Sequence, residues 1–119
     1  MEWARFSKEA AFITRQAMVK YIYGVPIAVY RTVEGLKAYI AICPHKYHVV
    51  CVRELVNGRY IMCQGHGELF KSTTGEPEGK FTRESLRPVE LKVENGTVYV
   101  AKPSDDILEW AKRISGVDG

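Results

Sequence analysis

Two short segments, each carrying one cysteine and one histidine, restrict the fold of this chain more than any other feature. They read Cys43-Pro44-His45 and Cys63-Gln64-Gly65-His66, and 17 residues separate them. A zinc site usually sorts its ligands by type, with two cysteines on one arm and two histidines on the other. Here each arm is mixed, which suits a dinuclear centre whose two metals take different ligand pairs. The chain must therefore bring two loops to opposite sides of one site.

The sequence around these arms extends the pattern. After Gly67 come Leu69-Phe70 and then Thr74-Gly75-Glu76-Pro77. In this order, from about residue 12 to residue 101, the chain resembles the Rieske 2Fe-2S proteins. The resemblance implies a 2Fe-2S cluster with two cysteine and two histidine ligands. The implied ligands are Cys43, His45, Cys63 and His66, and the implied cluster environment is Pro44, Gly65, Gly67, Glu68, Phe70 and Pro77.

Short apolar runs rich in β-branched and aromatic residues recur along the chain and predict strands. They are Phe12 to Thr14, Val19 to Tyr23, Ile27 to Arg31, Leu36 to Ile42, Val49 to Leu55, Tyr60 to Met62, Glu90 to Val93 and Val98 to Ala101. Tyr23-Gly24, Glu34-Gly35, Asn57-Gly58 and Asn95-Gly96 predict turns between them. The pattern is typical of an all-β fold, a small antiparallel sandwich or barrel. The resemblance adds a cluster-binding subdomain, with both ligand arms in loops at strand ends.

The sequence after Pro103 changes to a helical period. Ser104 can cap a helix, and Ile107, Trp110, Ala111 and Ile114 repeat at helical spacing. We expect a carboxy-terminal amphipathic helix over residues 104–116 that packs on the domain and covers a sheet edge. At 119 residues, the whole chain, 1–119, is expected to form a single domain.

Composition limits the choice of partners and location. A net charge of +3 with scattered basic residues does not favour nucleic-acid binding. The amino terminus lacks an apolar run of signal-peptide length, and no segment approaches the roughly 18 apolar residues of a membrane span. We therefore expect no membrane anchor and a cytoplasmic location.

Departures from the high-potential members of the family predict a low reduction potential. Those members carry an extra cysteine in each loop, where this chain has His48 and Gly65. They also place a serine and a tyrosine where this chain has Glu68 and Phe70, so two hydroxyl donors to the cluster region are missing here. The third cysteine, Cys51, lies in an apolar run and is expected to be a buried core residue rather than a ligand.

The resemblance implies an electron carrier that passes electrons between a reductase and an acceptor such as an oxygenase. The chain has 3 histidines, and the predicted cluster uses two of them. The single remaining histidine cannot supply the two that a mononuclear oxygenase iron requires, so no substrate-turnover site is expected. Two alternatives stay open: a small redox subunit of a permanent complex, and an interaction module in which the same four residues hold zinc.

Overall fold

Ten strands, one 3₁₀ helix and one α-helix make up the part of the chain that the computed structural model describes, residues 2–42, 52–63, 68–78 and 84–115. The strands are β1 (Trp3–Lys8), β2 (Ala17–Ile22), β3 (Val25–Thr32), β4 (Gly35–Ile40), β5 (Val52–Val56), β6 (Tyr60–Cys63), β7 (Glu68–Lys71), β8 (Pro88–Val89), β9 (Leu91–Glu94) and β10 (Thr97–Ala101). The 3₁₀ helix is Glu9–Ile13 and the α-helix, α1, is Asp105–Ser115. The predicted all-β class with one carboxy-terminal helix is confirmed.

The strands form three antiparallel sheets. The first sheet has the order β1-β10-β9, the central sheet β2-β3-β4-β8, and the third sheet β5-β6-β7. Most neighbours in these sheets are also neighbours in sequence, and tight turns join the pairs β2-β3, β3-β4, β5-β6 and β9-β10. At Tyr23-Gly24 and Asn95-Gly96 both residues have positive φ, as a two-residue hairpin turn of this hand requires. Asn57-Gly58 also has positive φ at both residues, but Arg59 extends that loop to three residues.

The central sheet is buried on both faces, and this explains why β3 is almost entirely apolar. Along β3, Val25, Ile27 and Val29 contribute to one core, whereas Ala28 and Tyr30 contribute to another. Such alternation follows from the two-residue period of a strand. The first core lies between the central sheet, the first sheet and α1; the second core lies between the central sheet and the third sheet.

One prediction about local structure is wrong. The run Phe12 to Thr14 is not a strand, because Phe12 and Ile13 close the 3₁₀ helix and the Phe12 ring stacks on Phe6 at 6.5 Å between centroids. The helix α1 packs on the domain as predicted, with an inner strand as its main strand contact. It buries Leu108 and Ala111 in the first core and contacts β3, an inner strand of the central sheet. Burial against the middle of a sheet removes more apolar surface from water than contact with an edge.

The start of α1 is capped as expected. The backbone N–H of Ile107 donates to Ser104 Oγ at 3.3 Å, and Asp105 and Asp106 occupy the first turn. The predicted end at Gly116 lies outside the described residues. No helix in the described part of the chain is long and apolar enough to cross a membrane.

Candidate metal centre

Cys63 is the one predicted ligand that the structure describes; Cys43, His45 and His66 lie outside the described residues. It is the last residue of β6, the middle strand of the third sheet, where it pairs with Val52 on one side and Glu68 on the other. In β6, Ile61 and Cys63 point into the second core and are both fully buried. The strand alternation therefore fixes Cys63 on the face of the third sheet that meets the central sheet.

The strand that leads to the first arm ends at the same core. In β4, Ile40 faces the first core, whereas Tyr39 and then Ala41 belong to the second core, which also contains Cys63. Backbone bonds hold this strand end: the N–H of Ala41 donates to Pro26 O, and the N–H of Ile40 donates to Arg87 O, each at 2.9 Å. Ala41, two residues before Cys43 in the sequence, thus belongs to the core that buries Cys63. Cys43, Pro44 and His45 themselves are outside the described residues.

The strand that follows the second arm is the last strand of the third sheet. Gly65, His66 and Gly67 lie outside the described residues, and β7 begins at Glu68. Two residues later, Phe70 is fully buried in the second core and pairs with Ile61. Phe70 thus reaches the same core as Cys63 from the neighbouring strand.

After β7 the chain turns back along its own strand through residues 72–78, which we call the return segment. Its Pro77 forms an isolated antiparallel bridge with Phe70. On either side, the N–H of Lys71 donates to Glu76 O and the N–H of Glu78 donates to Leu69 O, each at 2.8 Å. Pro77 lacks an N–H, and these neighbouring bonds hold it in place. Two predicted environment residues, Phe70 and Pro77, are therefore brought together.

The sequence did not single out Tyr39, a residue of β4 that connects this strand with the return segment. Its hydroxyl is buried and donates a hydrogen bond of 2.7 Å to the backbone carbonyl of Ser72 in the return segment. Burial, and secondarily the charge of Glu34, raises the pKa of Tyr39 to about 12, so the hydroxyl keeps its proton at neutral pH. The sequence carries no local signal for this contact, because the two residues are 33 positions apart.

The described part of the centre fits an iron-sulfur ligand set. A cysteine thiolate, unlike an oxygen ligand, is a soft donor and suits iron in such clusters. Cys63 stands at the end of β6 and is buried in the same core as Tyr39 of β4. The strand β4 is the one that precedes Cys43, the other predicted cysteine ligand, in the sequence. Cys63 is thus held by a strand of the sheet, and such rigid placement of a ligand is what a metal site needs.

Comparison with protein families supports the same interpretation. A family model described as the Rieske 2Fe-2S domain matches residues 2–101. A comparison with curated proteins found no match.

Solved structures with the same fold include several redox proteins. The ferredoxin of carbazole 1,9a-dioxygenase from Nocardioides aromaticivorans IC177 is 17% identical, with a TM-score of 0.76 over 87% of this chain and 100% of that chain. A chain in a complex of reduced oxygenase and oxidised ferredoxin of carbazole 1,9a-dioxygenase is 25% identical, with a TM-score of 0.72 over 82% of this chain and 100% of that chain. The ferredoxin of Sphingomonas yanoikuyae B1 is 19% identical, with a TM-score of 0.72 over 86% of this chain and 100% of that chain.

Proposed function

Because the chain belongs to the Rieske 2Fe-2S domain family, we propose that it is a one-electron carrier that moves electrons between a reductase and an acceptor such as an oxygenase. The observation that carries the proposal is the family match over residues 2–101, together with the ferredoxin fold of the chains it resembles. Electron carriers of this kind turn over no substrate of their own. The cluster supplies the redox chemistry, and the protein holds and tunes it.

We propose Cys43 and Cys63 as ligands of one iron and His45 and His66 as ligands of the other. When bound, such a cluster accepts and releases one electron. Cys63 supports this assignment because it is fully buried at a strand end, in the same core as Tyr39 and Ala41, which precede the first arm in the sequence. The chain's own part is to keep water from the thiolate side of the site and to hold the two arms at a fixed separation.

The polar surroundings favour a potential in the lower part of the family's range of about −150 to +300 mV. Phe70 is buried in the second core and has no hydroxyl with which to stabilise the reduced state. Glu68 begins the strand next to Cys63, where a negative charge disfavours the addition of an electron. Both residues therefore favour a lower reduction potential.

We propose that the partners are proteins that dock briefly at the cluster end of the molecule. A structure similar to this chain was solved in a complex of oxygenase and ferredoxin, which supports an oxygenase as acceptor. The proposed rim comprises Lys46 and Tyr47, which lie outside the described residues, together with Glu68 and the segment Thr74 to Pro77. In that segment Thr74 and Glu76 are exposed. Rapid turnover requires a small contact that dissociates quickly.

The family match favours the iron-sulfur cluster over the zinc-bound interaction module, because the matching family is described as a 2Fe-2S domain. Purification of the protein from its native cell distinguishes a permanent redox complex from a free carrier. A free carrier elutes at the size of the chain alone, whereas a subunit co-elutes with its partner in fixed stoichiometry.

The first test is an EPR spectrum of the dithionite-reduced protein together with metal analysis. We expect two irons per chain and the low average g value of a histidine-ligated 2Fe-2S centre. The variant Cys63→Ser should lose this signal, whereas the control Cys51→Ser should keep it, because Cys51 is not a proposed ligand. A colourless, EPR-silent protein with one zinc per chain would refute the proposal. Loss of the signal in Cys51→Ser would refute the ligand assignment.

A further inference from the structure

We propose that Tyr39 is a positioning residue that holds the two ligand arms at their working separation. This inference rests on the proposed function. The hydroxyl of Tyr39 is buried and donates to the carbonyl of Ser72 at 2.7 Å. Tyr39 lies in β4, four residues before Cys43, and Ser72 follows β7, the strand that begins two residues after His66. One hydrogen bond thus connects the strand entering the first arm with the chain leaving the second.

Ser72 is itself held firmly to the third sheet. Its N–H donates to Arg59 O at 2.8 Å, and its Oγ donates to Gly58 O at 2.9 Å. Gly58 O also accepts the N–H of Val33 at 3.0 Å, and Val33 lies in the turn between β3 and β4. The bonds therefore run from Tyr39 through Ser72 and Gly58 to Val33 and back to the central sheet. This closed network joins the third sheet to the central sheet at two points, Tyr39 in β4 and Val33 in the turn before it.

The ring of Tyr39 makes a second contact with the return segment. Gly75 lies against it so closely that a Cβ on Gly75 would stand 2.9 Å from Tyr39 Cε1 and 3.0 Å from the carbonyl oxygen of Leu86. The N–H of Leu86 donates to Gly75 O at 2.8 Å, and Leu86 is buried in the second core with Tyr39 and Cys63. Ring packing and the hydroxyl bond thus act on the same segment, which also carries Pro77.

A role in positioning follows from where this contact is and from the cost of losing it. No strand of the central sheet pairs with a strand of the third sheet in the described residues. Side-chain packing, the backbone bond between Leu86 and Gly75, and the Tyr39 network therefore set the distance between the two sheets. Each of the two sheets leads to one cysteine. If the hydroxyl is removed, the buried carbonyl of Ser72 loses its partner, and a buried unpaired carbonyl favours opening of the segment.

The test uses the cluster-loaded protein and the variant Tyr39→Phe, which keeps the ring and removes the hydroxyl. We expect amide hydrogen exchange at Gly75 and Leu86 to rise by about 5- to 100-fold. We also expect faster loss of the visible absorption in the presence of an iron chelator, and a shifted potential or broadened EPR signal. The Ser72→Ala variant, which breaks the next bond of the network, should produce the same changes to a smaller extent.

Two controls separate positioning from ordinary loss of stability. Tyr21→Phe removes a hydroxyl from an exposed tyrosine of β2 and should change nothing. Ile27→Val removes a methyl group from the first core, lowering overall stability by an amount similar to that from loss of one hydrogen bond. It should leave the EPR signal and the potential unchanged. The inference is overturned if Tyr39→Phe and Ile27→Val release iron at the same rate with identical EPR spectra.

Failure of the proposed function gives a different result. In that case the wild-type protein shows no 2Fe-2S signal, and the EPR comparison cannot be made. The exchange rates at Gly75 and Leu86 still report on the Tyr39 contact, because both atoms of this hydrogen bond are protein atoms. Unchanged exchange in Tyr39→Phe would refute the contact regardless of the metal result.

Discussion

Replacement of Gly75 by alanine should destabilise the protein far more than the same replacement at Gly96. Both glycines have positive φ, +82° at Gly75 and +76° at Gly96, where an L-residue is strained. Their surroundings differ. A Cβ at Gly96 meets nothing within 4 Å, whereas at Gly75 it meets the Tyr39 ring at 2.9 Å and the Leu86 carbonyl at 3.0 Å. The second of these is backbone and cannot rotate away.

The expected losses of stability follow from two costs, the left-handed backbone conformation and the steric clash of the added Cβ. The left-handed conformation costs a non-glycine residue about 1 to 2 kcal/mol, and this term is common to both sites. Forcing an extra carbon into a packed site costs about 1 to 3 kcal/mol more, and this term applies at Gly75 alone. We therefore expect a loss of about 1 to 2 kcal/mol for Gly96→Ala and about 2 to 5 kcal/mol for Gly75→Ala. The larger loss is a sizeable part of the roughly 5 to 15 kcal/mol that stabilises a domain.

Thermal unfolding of the cluster-loaded proteins, followed by circular dichroism at one scan rate, measures the difference. For a domain of this size, 1 kcal/mol corresponds to a shift of about 3 to 6 °C in Tm. Gly75→Ala should therefore melt several degrees below Gly96→Ala and should also lose its cluster at a lower temperature. Equal Tm values for the two variants would show that the return segment does not lie against Tyr39 as described, and the steric argument would fail.

Three further predictions concern pH, charge and capping. Burial raises the pKa of Tyr39 to about 12 in the folded protein, so between about pH 10 and 12 the unfolded chain releases this proton before the folded protein does. Stability should therefore not depend on this group below about pH 10 and should fall as the pH rises toward 12; urea unfolding of the wild type should show this alkaline slope, and an equal slope in Tyr39→Phe would contradict it. Glu68→Gln removes one negative charge from the residue that pairs with Cys63. A redox titration should show a reduction potential higher by tens of millivolts, on the order expected for one partly screened charge. A lower potential would count against the electrostatic argument. Ser104→Ala removes the cap of α1 and should cost about 1 kcal/mol by thermal unfolding, whereas Ser104→Asp should retain most of the stability; identical losses would mean that the cap does not contribute.

Much of the fold is predictable from local patterns. The two Asn-Gly pairs mark hairpin turns because both residues tolerate positive φ, and the structure has them there. The spacing of Ile107, Trp110, Ala111 and Ile114 predicts the helix α1, which the structure confirms. These features depend on residues that are close together in the sequence, so the sequence alone is enough to predict them.

The features that were missed depend on distant contacts. The strand β1 shows no regular alternation, because its pairing with β10 shifts register between Arg5 and Ser7. Phe12 is apolar in a run that reads as a strand, yet its partner Phe6 places it in a 3₁₀ turn. Tyr39 looks like one more aromatic residue of a buried strand. Its role becomes visible when Ser72 is brought to its hydroxyl by the fold.

The two-sided burial of the central sheet determines where this chain tolerates changes in length. Adjacent residues of β4 serve different cores, so insertion or deletion of one residue within β4 would exchange the faces of every side chain beyond that point. If the change precedes Tyr39, this residue would face the first core, and the segment carrying Cys43 would begin one position out of phase with Cys63. The turn between β3 and β4 can accept an extra residue without this exchange, provided the strands keep their pairing. Length variation in natural or engineered variants should therefore be confined to such turns, and the distance in sequence from Tyr39 to Cys43 should not vary.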